Sequence, residues 1–181
     1  MSAIAILGSS NSQGNTRILC HECIQAAGAE LIDLNCFSIS PWDYDGQNSG
    51  DDFALIANKL VLSSDIIFCT PVYWYSMSAQ MKVFFDRLSD LITRRKSVGR
   101  ALAGRRTWLI ASGTDPELPE GFEIPFQRTS EYFDMDYCGA FYGQAANDRF
   151  HQDTLRRAKA FGIKIVGQTG GASQPKSAPR S

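Results

Sequence analysis

Five short apolar segments recur along this chain, at residues 3–9, 29–34, 65–71, 106–112 and 136–142. Between them, apolar residues return at helical spacing, which predicts helices at about 15–27, 52–63, 78–95, 124–133 and 150–166. Strands that alternate with helices admit few packings. Each connection between parallel strands crosses a face of the sheet with one hand, so helices come to cover both faces. Asp65-Ile66-Ile67-Phe68-Cys69 is apolar on consecutive residues, as a strand buried on both sides requires. The expected architecture is α/β: a three-layer sandwich around a five-stranded parallel sheet of order 2-1-3-4-5.

Size and charge narrow the possibilities further. The 181 residues, 44% of them hydrophobic, suit one domain with a sizeable core, expected over residues 1–167. Residues 168–181 are rich in Gly, Ser, Pro and Gln, and are expected to form a flexible tail. A net charge of -1 argues against a generic partner for nucleic acid or an anionic membrane, which would call for a basic excess. No apolar run is long enough to span a bilayer, and the first residues lead directly into a strand without a secretory leader. A cytoplasmic location with the five cysteines reduced is the expectation.

Two loops carry the chemistry. The first, Gly8-Ser9-Ser10-Asn11-Ser12-Gln13-Gly14-Asn15-Thr16, joins the first strand to the first helix. Backbone N–H groups at a helix N-terminus, with short hydroxyl and amide side chains, can surround a phosphate at the positive end of the helix dipole. The loop lacks the Gly-Lys-Ser/Thr ending of a Walker loop and the three spaced glycines of a dinucleotide fingerprint. Neutral donors suit a phosphate that is bound and not transferred. A plain turn capped by Ser12 or Asn15 is the competing reading.

The second loop follows the third strand: Thr70-Pro71-Val72-Tyr73-Trp74-Tyr75-Ser76-Met77-Ser78. In the expected order, strands 1 and 3 are neighbours whose chains leave toward opposite faces, so both loops open on the crevice where such sheets bind ligands. Pro71 stiffens the turn, Tyr73 and Trp74 offer flat surfaces, and Ser76 or Ser78 caps the next helix. The aromatic run could equally cover the sheet end or a subunit contact.

These residues resemble the NAD(P)H-dependent FMN reductase family of the flavodoxin-like superfamily. Gly8, Ser9, Gly14, Asn15 and Thr16 match its first motif, with Asn11 where arginine is frequent. Thr70-Pro71-Val72-Tyr73-Trp74, then Ser76-Met77-Ser78 and residues 82–87, match its second, the more specific of the two. The resemblance spans about residues 3–165 and implies a flavodoxin-like FMN-binding domain. It implies FMN contacts from Ser9, Asn11, Asn15, Thr16, Pro71, Val72, Tyr73 and Trp74, with Gly14 in the same cradle. The family's third loop corresponds to Ala111-Ser112-Gly113-Thr114, which adds Ser112 and Gly113. Backbone N–H groups near Tyr73, Ser76, Gly113 and Thr114 would then face the flavin ring.

The implied activity is hydride transfer from NAD(P)H to FMN and onward to a quinone or similar flat acceptor. The flavin carries that chemistry, so no catalytic side chain is expected. The resemblance also implies a homodimer or homotetramer. The alternative is a flavodoxin-type carrier that binds FMN without oxidising NAD(P)H directly; such carriers are commonly strongly acidic, unlike this chain.

Three further features invite a chemical reading. Cys20-His21-Glu22-Cys23 lies within a helix, and the chain has only two histidines, too few partners for a zinc site. No metal is expected, and the cysteines read as buried small side chains. Asp86 and Arg87 read as a structural ion pair. The basic run Arg94, Arg95, Lys96, Arg100, Arg105 and Arg106 reads as a solvated helix end, or else as a contact to the 2′-phosphate of NADPH across a dimer interface.

Overall fold

The computed structural model describes residues 2–48, 50–146 and 149–167. The expected tail lies outside the described residues. The strands are β1 (Ala3–Leu7), β2 (Glu30–Asp33), β3 (Asp65–Pro71), β4 (Arg106–Gly113), β5 (Asp136–Ala146) and β6 (Arg149–Phe150). The helices are α1 (Asn15–Ala27), α2 (Phe53–Leu62), α3 (Ala79–Arg87), α4 (Asp90–Thr93), α5 (Lys96–Arg100), α6 (Ile124–Tyr132) and α7 (Gln152–Gly167).

One sheet orders the strands β2-β1-β3-β4-β5-β6. The pairings among β1 to β5 are parallel, while β6 runs antiparallel to the end of β5. The sheet is therefore mixed and six-stranded, one strand more than the five expected. The two residues of β6 are too short to leave an apolar-segment signal, and β5 itself continues past residue 142 to pair with them through Ala145 and Ala146.

Alternate residues of each strand feed different cores. Ile4, Ile6, Ile66, Phe68 and Leu109 join Phe53, Ile56, Met81, Phe84 and Phe126 in one buried cluster, which belongs to α2, α3 and α6. Ala5, Leu7, Ile67, Cys69 and Ile110 join Leu19, Cys20, Cys23, Ala158 and Ile165 in the other, which belongs to α1 and α7. The consecutive apolar residues are thus explained by burial on both faces. Gly162 lets α7 settle directly on α1, since a Cβ there would come within 2.1 Å of the Cys23 carbonyl oxygen.

The continuous helix expected at 78–95 is broken. At Leu88 and Ser89 the backbone bonds tighten to i→i−3 spacing, Leu88 N–H to Phe85 O and Ser89 N–H to Asp86 O, both 3.1 Å. Across the break, the buried Asp90 carboxylate takes Arg87 Nε at 3.0 Å and Arg94 Nη1 at 2.7 Å. Arg87 also pairs with Asp51 and donates to Ser40 O at 3.0 Å, tying residues 40–51 to α3. The Asp86–Arg87 pair expected from sequence is absent: Asp86 pairs with Lys82 one turn back, on the exposed face.

Candidate active-site crevice

β1, β3 and β4 end side by side, so the loops after them share one edge of the sheet. A crevice of about 650 Å³ opens there, lined by Ser9, Asn11, Gly14, Asn15 and Thr16 from the first loop and Pro71, Val72 and Tyr73 from the second. Ser112, Gly113 and Thr114 line its third side. Gln13, Ile18 and Ala145 complete the wall, none of which the sequence singled out.

Hydrogen bonds lock the three loops together. Ser10 Oγ and Tyr73 Oη are 3.0 Å apart, joining the first loop to the second. Thr16 Oγ1 and Ser112 Oγ are 2.7 Å apart and buried, joining α1 to the end of β4. In such a hydroxyl pair one group donates to the other, and the acceptor keeps a proton for a third partner. Ser78 Oγ caps α3 by accepting from Met81 N–H at 3.1 Å, and donates to Gly8 O at 2.7 Å. Its own N–H reaches Thr70 Oγ1 at 3.1 Å. Of the two serines expected to cap this helix, Ser78 does so. Gly8 lies so close to α3 that a Cβ would stand 2.8 Å from Met81 Cβ and 2.9 Å from Met81 N.

The first turn of α1 is open to the crevice. Gly14 is its N-cap and contributes no side-chain bond, so the plain turn capped by Ser12 or Asn15 is not what forms. Asn11 Oδ1 instead accepts from Gln13 N–H at 2.9 Å and shapes the loop. Asn35, just after β2, donates to Ser9 O at 2.6 Å and Ser12 Oγ at 3.0 Å, bracing the loop from outside. Asn35 was not legible as part of this region, because it acts on a loop carbonyl and hydroxyl brought near only by folding.

Tyr73 and Ser76 close a two-residue hairpin turn, with N–H to O distances of 2.9 and 3.0 Å. Its two central residues take left-handed backbone, Trp74 at φ 49° and Tyr75 at φ 64°. Trp74 is 93% exposed and Tyr75 70%. Trp74 and Ser76 therefore sit outside the crevice lining, and the flat surface beside it belongs to Tyr73 and Val72. Two positive φ values at non-glycine residues are a geometry that residue types alone do not announce.

The donor set fits a phosphate joined to a flat ring. Hydroxyls, amides and an uncapped helix N-terminus cluster at one side, while Pro71, Val72, Tyr73 and Gly113 face the other. Residues 1–116 match the family model described as NADPH-dependent FMN reductase, a span that contains all three loops. The chain belongs to the NADPH-dependent FMN reductase family. As a member it is a flavin-dependent oxidoreductase, with FMN as the family's cofactor and NAD(P)H as its electron donor.

Two relatives bear on this FMN reductase. Bacillus subtilis YwqN, named as an NAD(P)H-dependent FMN-containing oxidoreductase, is 27% identical over 80% of this chain and 85% of its own length. An iron-sulfur flavoprotein of Methanocaldococcus jannaschii is 30% identical over 92% of this chain and 96% of its own. The solved structure of the Trp repressor binding protein from Bacillus subtilis superposes with a TM-score of 0.71 at 24% identity, covering 93% of this chain and 99% of that one. The shared fold is flavodoxin-like.

The remaining sequence features find structural places. Cys20, Cys23 and Cys69 are buried and Cys36 is exposed; among the described residues no group of three or more His, Cys, Asp or Glu is arranged to hold a metal ion. Most of the basic run is engaged by its own chain. Arg94 donates to Asp43 O and Tyr44 O, Arg95 to Asn58 Oδ1, and Arg105 to Val61 O. Arg106 grips Asp65 with two bonds of 2.8 and 2.7 Å at the opposite end of β3 from the crevice. Four of the six thus brace loops and helices, while Arg94, Lys96 and Arg100 are exposed to solvent. Among the described residues no helix is long and apolar enough to cross a membrane.

Proposed function

We propose that the crevice is the FMN site and that the enzyme passes hydride from NAD(P)H through the flavin to a quinone or similar flat acceptor. The carrying observation is the continuity of the crevice, in which the cradle of loop 8–16 and the shelf of Pro71, Val72 and Tyr73 face one space and are bonded to each other. When bound, FMN supplies the hydride chemistry.

The protein's part is placement and electrostatics. Ser9, Asn15, Thr16 and the first N–H groups of α1 hold the phosphate, whose charge the helix dipole favours. Because Asn11 stands in place of a cation, the phosphate is met by neutral donors, and the dipole carries the electrostatic part of binding. Pro71, Val72 and Tyr73 would seat the ring, and the backbone N–H groups of Gly113 and Thr114 on the third side of the crevice would supply donors to it. Thr16 and Ser112 share one hydrogen bond, and both line the crevice, so the acceptor's remaining hydroxyl proton is available to a ligand oxygen. No side chain here is required as a general acid or base.

A homodimer in the cytoplasm belongs to the same proposal. The groove between α4, α5 and α6, where exposed Ile92 and Tyr132 stand beside Lys96, Arg100 and Asp134, gives a mixed apolar and charged surface that a second copy would cover.

Anaerobic mixing of FMN-loaded protein with NADH and NADPH, followed by flavin absorbance and then by addition of a quinone, tests the reading. Rapid bleaching and rapid return of colour are expected. Retention of FMN without bleaching would point to an electron carrier, and failure to retain FMN would overturn the site assignment.

A further inference from the structure

Beneath the crevice, on the α1 side of the sheet, the sulfurs of Cys20 and Cys69 lie 2.8 Å apart. That is well inside ordinary non-bonded contact, which is about 3.5–4.0 Å even for carbon atoms. Cys20 sits one turn beyond Thr16 on α1, and Cys69 pairs with Leu7 in the middle of the sheet. The two are 49 residues apart in sequence and belong to the same buried cluster. Cys23, on the next turn, shares that cluster but makes no such contact.

We infer that Cys20 and Cys69 form a redox couple, closing to a disulfide that staples α1 to β3 when the protein meets a hydroperoxide. The assignment stands apart from the proposed flavin reaction and needs no bound cofactor. The chemistry takes two steps. The Cys20 thiolate attacks one peroxide oxygen, the O–O bond breaks, and Cys20 becomes a sulfenic acid while the other oxygen leaves as alcohol or water. The Cys69 thiol then attacks the Cys20 sulfur, the S–O bond breaks, and water leaves as the S–S bond forms. Two thiols lose two electrons and two protons, and the peroxide is reduced by two electrons.

Cys69 is assigned the resolving role. Burial holds the Cys69 thiol well above the usual thiol range, which makes it a poor nucleophile toward peroxide. Both sulfurs are closed off from solvent. Peroxide therefore reaches them in the fraction of time that α1 lifts from the sheet, and the reaction should quicken in mild urea.

The test treats the purified chain with hydrogen peroxide in water and in urea below the unfolding transition, alkylates remaining thiols, and maps peptides by mass spectrometry without reduction. A single peptide joining Cys20 to Cys69, lighter by two hydrogens, is expected, forming faster in urea. The thermal midpoint should rise by roughly 10 °C, as closing so long a loop implies, and return with dithiothreitol. Cys23→Ala should leave the crosslink intact, whereas Cys20→Ala should abolish it. The inference is overturned by a crosslink to Cys23, Cys36 or Cys138, by separate oxyacids on Cys20 and Cys69, or by two reduced thiols after exposed Cys36 has been consumed. Each of those results is read on the unaltered chain, so it does not depend on the folding of a variant.

Discussion

Replacing Ser78 with alanine isolates the joint between the crevice and the core. Ser78 is fully buried, and its hydroxyl both caps α3 and holds the Gly8 carbonyl that begins the first loop. Alanine keeps the Ser78 N–H bond to Thr70 and removes the other two. Loss of a serine cap costs about 1 kcal/mol. The buried Gly8 carbonyl left without that donor costs about 1–2 kcal/mol more. The expected total is about 2–3 kcal/mol, or roughly 4–12 °C in thermal midpoint for a chain of this size. Urea unfolding followed by circular dichroism reads it as a lower midpoint at unchanged slope. Ser89→Ala is the matched control, since Ser89 occupies the N-cap of α4 and makes no side-chain cap bond; it should fall within about 0.5 kcal/mol of wild type. The reasoning fails if Ser78→Ala loses less than about 0.5 kcal/mol, or if the control loses as much.

Other outcomes follow from single features. Arg87→Met leaves two buried carboxylates, Asp51 and Asp90, without their shared cation, and should cost about 3–5 kcal/mol by chemical denaturation. Burial pushes the Asp51 and Asp65 carboxyls up, but hydrogen bonds from Arg87 and from Arg106 and Trp108 outweigh it and hold both below the usual carboxylate range. Their stabilising contribution is therefore complete above the unfolded value of about 3.9 and drains away as pH falls through the lower folded values. Thermal midpoints measured from pH 7 downward should stay level on this account until about pH 4 and then drop, and Arg106→Met should flatten that drop. Trp74→Asn places a residue more tolerant of left-handed backbone at φ 49° and should raise stability by up to about 1 kcal/mol. Because Trp74 lies outside the crevice lining, an FMN fluorescence titration should give an unchanged Kd; a clear loss of affinity would return Trp74 to the site.

Local chemistry made much of this protein legible. The apolar runs at β1, β3 and β4 are long and two-sided, and their spacing with helices leaves few ways to wind a sheet, so the strand neighbours and the edge that carries the crevice follow from the order of elements. The loop 8–16 announces a helix N-terminus with small donors, and Thr70-Pro71-Val72-Tyr73 announces a stiff shelf, because both signals are contiguous in sequence. Signals that depend on distant partners were silent. Arg87 looks paired with its neighbour Asp86, yet helical geometry points those adjacent side chains apart, and folding supplies Asp51 and Asp90 in their place. The basic run gives no sign in sequence that loop 41–48 and α2 accept hydrogen bonds from Arg94 and Arg95. Trp74 belongs to the motif, but it lies outside the crevice lining, in a turn of positive φ values. Cys20 and Cys23 read only as buried small side chains, and tertiary packing puts Cys20 against Cys69. Sequence periodicity and turn chemistry decided the layers, the sheet edge and the class of ligand, since those depend on residues near one another along the chain. Only the tertiary structure decided which side chains meet, since a sheet of parallel strands brings together residues tens of positions apart.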